Sequence, residues 1–447
     1  MRIIIAGAGE VGSHLAKMLS NEEDHDIIVI DNDPERLKNI SSTLDVMTYE
    51  GNANSISILK EAKVSRADLF IAVTFSEDVN ITAAILSKKL GAKKTIARID
   101  NDEFTMPANK EIFSNLGIDY MIYPEKIAAR EVVGLLAQTG STEVVEFSGG
   151  KLQMYVIRLD ENAPIIGKSL RELTPDNENL HFRAVAMTRN GRTLIPGGDD
   201  VFEIGDLVYI ISSQAGLKEL YKTSGKQNFE VRNIMILGGS RIGIKTARQL
   251  GNQHYVKMVE IDKQHSYKLS GLLPNTLVIN GDGTNMMLLR EEGLEKMDAF
   301  IAVTGNSETN ILSCLLAKHL GVKRTIAEVE NIDYIHLAEN IGVDTIINKK
   351  LITASRIFRF TMSEEVSSIK CLTGTEAEVM EYVVRPQSPV TAGPLKDVGF
   401  PSEAIIGGVI RGKNAFIAHG ETQIKPYDRV VVFALPSEIY TVGKFFN

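Results

Sequence analysis

The chain has no tryptophan and only two cysteines, Cys314 and Cys371, in 447 residues. The two are far apart and lack metal-ligand spacing, which excludes a disulfide scaffold and a zinc site; two buried, reduced thiols are expected. No run approaches the roughly 18 apolar residues of a spanning helix, so membrane contact is expected to be peripheral at most. The opening Met1-Arg2-Ile3-Ile4-Ile5 enters a strand pattern at once, without a signal-peptide layout, and a cytosolic location is expected. Positive charge is also short. Lys and Arg number 49 against 57 Asp and Glu, a formal charge of −8, which speaks against a nucleic-acid partner.

Catalytic signatures are missing as well. There is no HExxH, no Cys-x-x-Cys and no Walker loop, and the histidines (14, 25, 181, 254, 265, 319, 336, 419) do not cluster. Ile166-Gly167-Lys168-Ser169 contains a Gly-Lys-Ser but lacks the first loop glycine and follows Pro164; it reads as a loop capping the next helix. No catalytic or metal-ligating residue is expected. What remains is ordinary for a soluble globular protein, with 44% hydrophobic and 24% charged residues, and disorder or collagen-like repetition is excluded.

At about 150 residues per domain the length suggests about three domains, but the chain says nearly the same thing twice. RIIIAGAGEVG at 2–12 recurs as NIMILGGSRIG at 233–243, and DLFIAVTFSEDVN at 68–80 recurs as DAFIAVTGNSETN at 298–310. Each copy alternates buried-strand runs with helix-length patterns. In the first copy the strands are Ile3–Ala6, Ile27–Ile30, Val46–Tyr49, Leu69–Thr74, Thr95–Ile99 and Tyr120–Ile122, with helices at Val79–Leu90 and Pro107–Leu116. This implies an α/β, doubly wound parallel sheet covered on both faces.

A strand-rich segment follows each copy, with Arg411-Gly412-Lys413-Asn414 falling where Arg189-Asn190-Gly191-Arg192 did and Asp428–Phe433 where Asp206–Ile211 did. A short helix is expected at Ala215–Lys222. The expected organisation is four units in A-B-A′-B′ order, at 1–140, 141–225, 226–371 and 372–447, with linkers near Gly140-Ser141, Thr223–Gln227 and Leu372–Thr375.

Gly7-Ala8-Gly9-Glu10-Val11-Gly12 directly follows the first strand and opens a helix, and Asp31 ends the second strand about 20 residues on. Gly7 permits the tight turn, Gly9 lets backbone approach a diphosphate, and Gly12 lets helix and strand pack closely. The helix N-terminus offers N–H groups and a positive dipole to phosphate. Asp31 is placed to accept from a ribose diol and to repel a 2′-phosphate, which favours NAD(H) over its 2′-phosphorylated form.

Asn52, Thr74 and Phe75 end strands on the same edge and are expected beside the adenosine and diphosphate. Arg98 ends the fifth strand there, as a phosphate contact or as part of a salt bridge; Asn80 could cap or pack. The second set, Gly238, Gly239, Ser240, Arg241, Ile242 and Gly243, departs from the first. Ser240 replaces the middle glycine, Glu260 (or Asp262) takes the acidic role, Glu328 stands for Arg98, and Arg241 stands for Glu10. Two unequal sites are expected. The first should prefer a dinucleotide to ATP; the second should take another adenine nucleotide or none.

The A-B-A′-B′ order, GAGEVG…VIDND, GNA, IAVTFSEDVN and TIARID resemble the regulatory subunits of Trk potassium uptake, over essentially the whole chain. That family carries two tandem RCK units, each a Rossmann-like domain followed by a small C-terminal domain. The resemblance implies a non-enzymatic protein that binds NAD(H) and ATP or ADP. It would dock peripherally on the cytoplasmic face of a membrane potassium-translocating subunit, assemble as a homo-oligomeric ring, and let bound nucleotide control its partner. It assigns the dinucleotide to Gly7–Val11, Asp31, Thr74, Phe75 and Arg98, then to Gly238–Ile242 with Glu260. It also makes the helices at 124–138 and 351–360 candidates for crossing to a neighbouring protomer; the alternative is that they are amphipathic helices packed on their own sheets. A cytosolic NAD-dependent oxidoreductase and a regulator of another cation transporter or exchanger are the alternatives.

Overall fold

The computed structural model describes residues 1–20, 25–173, 181–190, 192–213, 216–226, 228–361, 366–372, 375 and 377–446. The first sheet is built from β1 (Arg2–Ala6), β2 (Asp26–Asp31), β3 (Met47–Glu50), β4 (Leu69–Ala72), β5 (Lys94–Arg98) and β6 (Tyr120–Ile122). All neighbours are parallel, in the order β3-β2-β1-β4-β5-β6. Helices α1 (Glu10–Ser20), α2 (Pro34–Thr43), α3 (Ile56–Glu61), α4 (Glu77–Leu90) and α5 (Pro107–Leu116) connect the strands.

The reasons are local. Ile3, Ile4 and Ile5 are fully buried, as a central strand covered on both faces requires. Helix α4 starts at Ser76, whose Oγ accepts from the Val79 N–H (3.4 Å), carries Glu77 and Asp78 in its first turn and Lys88 and Lys89 in its last, and stops at left-handed Gly91. It begins two residues earlier than the apolar pattern suggests, because its first two residues, Glu77 and Asp78, are acidic rather than apolar. β4 likewise ends at Ala72, which puts Thr74 and Phe75 in the loop beyond it.

The second half repeats this plan. Its sheet holds β12 (Asn233–Leu237), β13 (Tyr255–Glu260), β14 (Thr276–Asn280), β15 (Ala299–Ala302), β16 (Arg324–Glu328) and β17 (Thr345–Ile347), ordered β14-β13-β12-β15-β16-β17. Its helices are α9 (Arg241–Leu250), α10 (Lys263–Leu272), α11 (Met286–Glu291), α12 (Ser307–His319) and α13 (Asp333–Asn340). In both sheets the strand order reverses beside the first strand of the copy, which opens a crevice at the carboxyl edge.

In chain order an antiparallel sheet comes between the two parallel ones, preceded by α6 (Pro124–Ala137). Its strands β7 (Glu143–Phe147), β8 (Leu152–Arg158), β9 (Phe182–Arg189), β10 (Arg192–Leu194) and β11 (Leu207–Ser212) run in the order β10-β9-β11-β8-β7, with α7 (Leu170–Leu173) and α8 (Leu217–Ser224). The helix expected at Ala215–Lys222 is α8; Ala215 lies outside the described residues. The last sheet repeats the plan after α14 (Lys349–Phe358), with β18 (Val366–Cys371), β19 (Glu378–Val383), β20 (Ala404–Arg411), β21 (Asn414–Ile417), β22 (Arg429–Ala434) and a closing α15 (Ile439–Lys444). The two antiparallel sheets share one core, in which Phe147, Met154 and Tyr209 meet Val379, Val431 and Phe433, and the Tyr209 and Phe433 rings lie 5.8 Å apart. Cys314 is buried in α12; the Cys371 side chain lies outside the described residues.

By internal contacts the chain separates into Met1–Ile127 with Lys349–Ser363, and Ala128–Asn348 with Glu364–Asn447. Within the first unit α14 packs on α1, and the Phe360 and Tyr120 rings stand 4.0 Å apart. The helix that follows the second parallel sheet therefore docks on the first copy. Within the second unit Arg324, the counterpart of exposed Lys94, is buried and donates to the carbonyls of Thr139 (3.4 Å) and Ser141 (2.6 Å), fastening the 139–141 linker to the second parallel sheet.

The same unit buries Glu339 of α13 beside Arg158 of β8, 3.2 Å away, with Glu143, His336 and Tyr209 among its other charged or titratable neighbours. Burial pushes the Glu339 carboxyl up to about 7, against the pull of Arg158 and with help from Glu143. The unfolded carboxyl ionises near 4.5. The native state therefore keeps a proton that the unfolded chain gives up, and this stabilisation is lost as pH rises towards 7. Glu339→Gln is expected to flatten the stability-pH profile by about 2–3 kcal/mol between about pH 5 and about pH 8, read by urea unfolding.

Candidate nucleotide-binding site

A cleft of about 770 Å³ opens at the carboxyl edge of the first sheet. Its floor is the turn after β1. Gly7 has φ +114°, and a Cβ there would stand 2.9 Å from the backbone of Val73 and Thr74. Gly12 lies behind the turn and does not line the cleft; its Cβ would fall 1.8 Å from the Gly7 carbonyl oxygen, so α1 could not lie as close to the turn as it does. Gly9 lines the cleft, and a Cβ on it would meet no protein atom within 4 Å. The first glycine thus serves the turn, the third the packing, and the middle one leaves open a space that a ligand can fill.

Asp31, at the end of β2, is buried. Its Oδ2 accepts from the Ala8 N–H (2.5 Å) and its Oδ1 from the Asp33 N–H (2.9 Å). Each carboxylate oxygen keeps acceptor capacity for a ribose hydroxyl. Asp33 instead caps α2. Asn52, Thr74, Phe75 and Arg98 all line the cleft with Gly7 through Val11. Phe75 stands at the rim, 94% exposed.

Arg98 has carboxylates on one side, Glu125 at 3.5 Å and Asp100 at 3.8 Å, while its Nε is buried without a hydrogen-bond partner. Both sequence readings of this residue are present in part. It has acidic neighbours, and it retains a donor that a phosphate oxygen could satisfy. Asn80 packs. Its Oδ1 accepts from the Thr74 N–H (2.8 Å) and hydroxyl (2.7 Å), and its Nδ2 donates to the carbonyls of Thr74 and Arg98 (both 3.1 Å). It ties the ends of β4 and β5 together, as Asn310 does for Thr304 and Glu328.

Two cations went unseen in the sequence. Arg36, in the first turn of α2, lines the cleft on the acid's side; a basic residue just after the acid was a usable signal. Lys350 of α14 reaches the first turn of α1 and pairs with Glu10 at 2.7 Å, and no local pattern announces a contact between such distant residues. Lys350 partly neutralises the acid that stands at the phosphate end. With Lys17 it also adds to the burial that lowers the His14 pKa. Lys350→Glu is expected to weaken binding of any anionic nucleotide in this cleft by about 5- to 10-fold in low-salt isothermal titration, with a smaller loss at high salt.

The second cleft, about 530 Å³, brings together Gly238, Gly239, Ser240 and Glu260; Arg241, Ile242 and Gly243 do not line it. Glu260 does what Asp31 does, with Oε2 accepting from the Gly239 N–H (2.8 Å) and Oε1 from the Asp262 N–H (2.9 Å). Asp262 caps α10. Being one methylene longer, Glu260 leaves no room for a side chain where Ala8 sits, since a Cβ on Gly239 would stand 2.9 Å from the carboxylate and 2.3 Å from Leu269. Ser240 caps α9, its Oγ accepting from the Gly243 N–H (3.3 Å). Glu328, in Arg98's place, is buried.

The first cleft has the features a dinucleotide would need: open space over Gly9, spare acceptor capacity on Asp31 and an Arg98 whose buried Nε has no hydrogen-bond partner. The second retains the diol acceptor but not the phosphate end. No group of three or more His, Cys, Asp or Glu side chains among the described residues could hold a metal ion, and no described helix is long and apolar enough to cross a membrane.

Twin Rossmann-like units, each with a glycine-turn cleft and each followed by a small antiparallel domain, place the chain in a class of tandem-repeat proteins with an RCK-type fold. The TrkA-N domain family matches residues 3–124 and 234–349, and the TrkA-C domain family matches 154–225 and 379–447. The chain is 37% identical over 450 residues to the "Trk system potassium uptake protein TrkA homolog" of Archaeoglobus fulgidus, covering 100% of both. It is 30% identical over 439 residues to TrkA of Haemophilus influenzae, covering 97% of this chain and 95% of that one. Among solved structures, the GsuK channel bound to NAD shares its fold with a TM-score of 0.61 at 17% identity, over 100% of this chain and 78% of that one. The chain belongs to the TrkA family of Trk-system potassium uptake proteins.

Proposed function

We propose that this protein is a nucleotide-sensing regulatory subunit of potassium uptake. It binds NAD(H) in the first cleft and, on the cytoplasmic face of the membrane, biases a potassium-translocating partner between closed and open states. The observation that carries this is the first cleft itself: the Gly7–Gly12 turn, Asp31 on the diol side and the unsatisfied Arg98 donor on the phosphate side. Membership of the TrkA family supplies the context, and a GsuK channel of the same fold is described as bound to NAD. ATP and ADP are competing ligands for the same cleft. The units would assemble as a homo-oligomeric ring. For ligand to act on the partner it must bind the assembly's two states unequally.

A dehydrogenase needs a proton-transfer group beside the nicotinamide. Among the described residues the lining of the first cleft holds no histidine, tyrosine or lysine, and its two carboxylates are already engaged, Glu10 by Lys350 and Asp31 by the Ala8 and Asp33 amides, which favours sensing over turnover.

Asp31→Ala should cost about 100-fold in NADH affinity, because it removes the diol acceptor and frees the Ala8 amide that shapes the turn. Isothermal titration measures that loss. Potassium flux through proteoliposomes carrying the membrane subunit should respond to NADH with the wild-type protein and not with Asp31→Ala. Flux indifferent to NADH, or a protein that does not co-purify with the potassium-translocating subunit, would refute the proposal.

A further inference from the structure

We infer that the second cleft takes a ribonucleoside with a free diol and no more than one phosphate, and rejects dinucleotides and nucleoside diphosphates. The inference rests on the reading of both glycine-turn clefts as nucleotide sites. The nucleoside end is preserved. Glu260 holds the Gly239 and Asp262 amides as Asp31 holds those of Ala8 and Asp33, so the same two oxygens face a ribose.

The phosphate end is dismantled three times over. Ser240 puts a Cβ and a hydroxyl where Gly9 leaves open space, and that hydroxyl already occupies the Gly243 N–H, a donor of the anion-binding helix end. The Arg98 guanidinium is replaced by the buried carboxylate of Glu328.

The lining differs in charge as well. The first cleft carries Arg36 and Arg98 against Glu10 and Asp31, whereas the described lining of the second holds Glu260 and Asp282 and neither lysine nor arginine. At Arg36's place stands His265, its Nε2 2.9 Å from the Gly239 carbonyl oxygen. A diphosphate would enter this cleft against two carboxylates with no lysine or arginine among its described lining; Arg241, in Glu10's place, opens α9 but does not line the cleft. The smaller volume, about 530 against about 770 Å³, points the same way. A neutral ribose-purine needs only the diol acceptor, and a single phosphate can use the rest of the first turn of α9.

The test is isothermal titration of the full-length wild-type chain saturated with NADH. Adenosine and AMP should each fill one further site per chain, with dissociation constants within about tenfold of each other. Glu260→Ala should abolish that site and leave NADH binding unchanged, which also shows that the variant is folded. In Ser240→Gly, NADH should gain about tenfold in affinity for the second cleft. The inference is overturned if wild-type chain binds two NADH molecules with like affinity, or if neither adenosine nor AMP binds the NADH-saturated chain. In both of those results the first cleft, and the function proposed for it, stand. A chain that binds no NADH at all removes the nucleotide reading and this inference with it.

Discussion

Gly9→Ala is expected to leave the melting temperature of the ligand-free protein unchanged and to weaken NADH binding by about 10- to 100-fold. Gly12→Ala is expected to do the reverse first, destabilising the protein by about 2–4 kcal/mol and losing binding as a consequence. The two residues belong to the same hexapeptide, and the substitution adds the same methyl group. They differ in what the methyl meets. At Gly12 it lies 1.8 Å from the Gly7 carbonyl oxygen, a backbone atom that no rotamer change can move, so α1 must shift away from the turn. At Gly9 no protein atom lies within 4 Å, and the only thing displaced is whatever fills the cleft. Paired thermal melts and titrations of the two variants separate the roles. Wild-type affinity in Gly9→Ala would mean that the diphosphate does not cross the turn there, and the dinucleotide reading of the cleft would fall.

The second copy of the chain has already made a version of this substitution. Ser240 stands at the position of Gly9, and α9 begins there without distortion, capped by the new hydroxyl. Gly238 and Gly243, the counterparts of Gly7 and Gly12, are retained, and each still faces backbone at 3.0 Å or less. The second copy thus lacks the glycine whose Cβ would meet no protein atom and has glycine at both positions where a Cβ would meet backbone.

The glycine turn, the acid closing the second strand and the alternation of buried runs with helices were legible in the sequence because they are local. Each is a spacing imposed by a period or by a single turn. The doubling was legible because both copies obey the same constraints. Long-range contacts were not. Nothing near Lys350 shows that its helix packs on α1 and that its ammonium lies 2.7 Å from Glu10. Nor does Arg324 announce itself, since it occupies the position of exposed Lys94 and is buried only because the 139–141 linker runs over it. Arg98 lies between the two cases. Its place at a strand end is local, but that its nearest carboxylates leave Nε unsatisfied depends on where Glu125 falls.

Arg189→Ala and Arg411→Ala are expected to destabilise the protein by about 3–5 kcal/mol each. The two residues end equivalent strands, β9 and β20, and each holds a carboxylate just before the last strand of its sheet. Arg189 donates Nε and Nη2 to Asp206 at 2.8 and 2.7 Å, and Arg411 donates the same atoms to Asp428 at 2.8 and 2.6 Å. Asp206 and Asp428 are only 1% and 2% exposed, and each also accepts from a loop amide, Glu203 or Lys425. Removing the arginine leaves a buried charge facing backbone alone, whereas removing the aspartate leaves a cation that solvent can reach. Arg189→Ala should therefore cost more than Asp206→Asn, and the double variant should cost less than the sum of the two, a coupling that a double-mutant cycle measures directly. The two sheets share one core around Tyr209 and Phe433, so loss of either pair should lower a single cooperative transition. A biphasic melt in which one small domain unfolds alone would show that the shared core does not couple them.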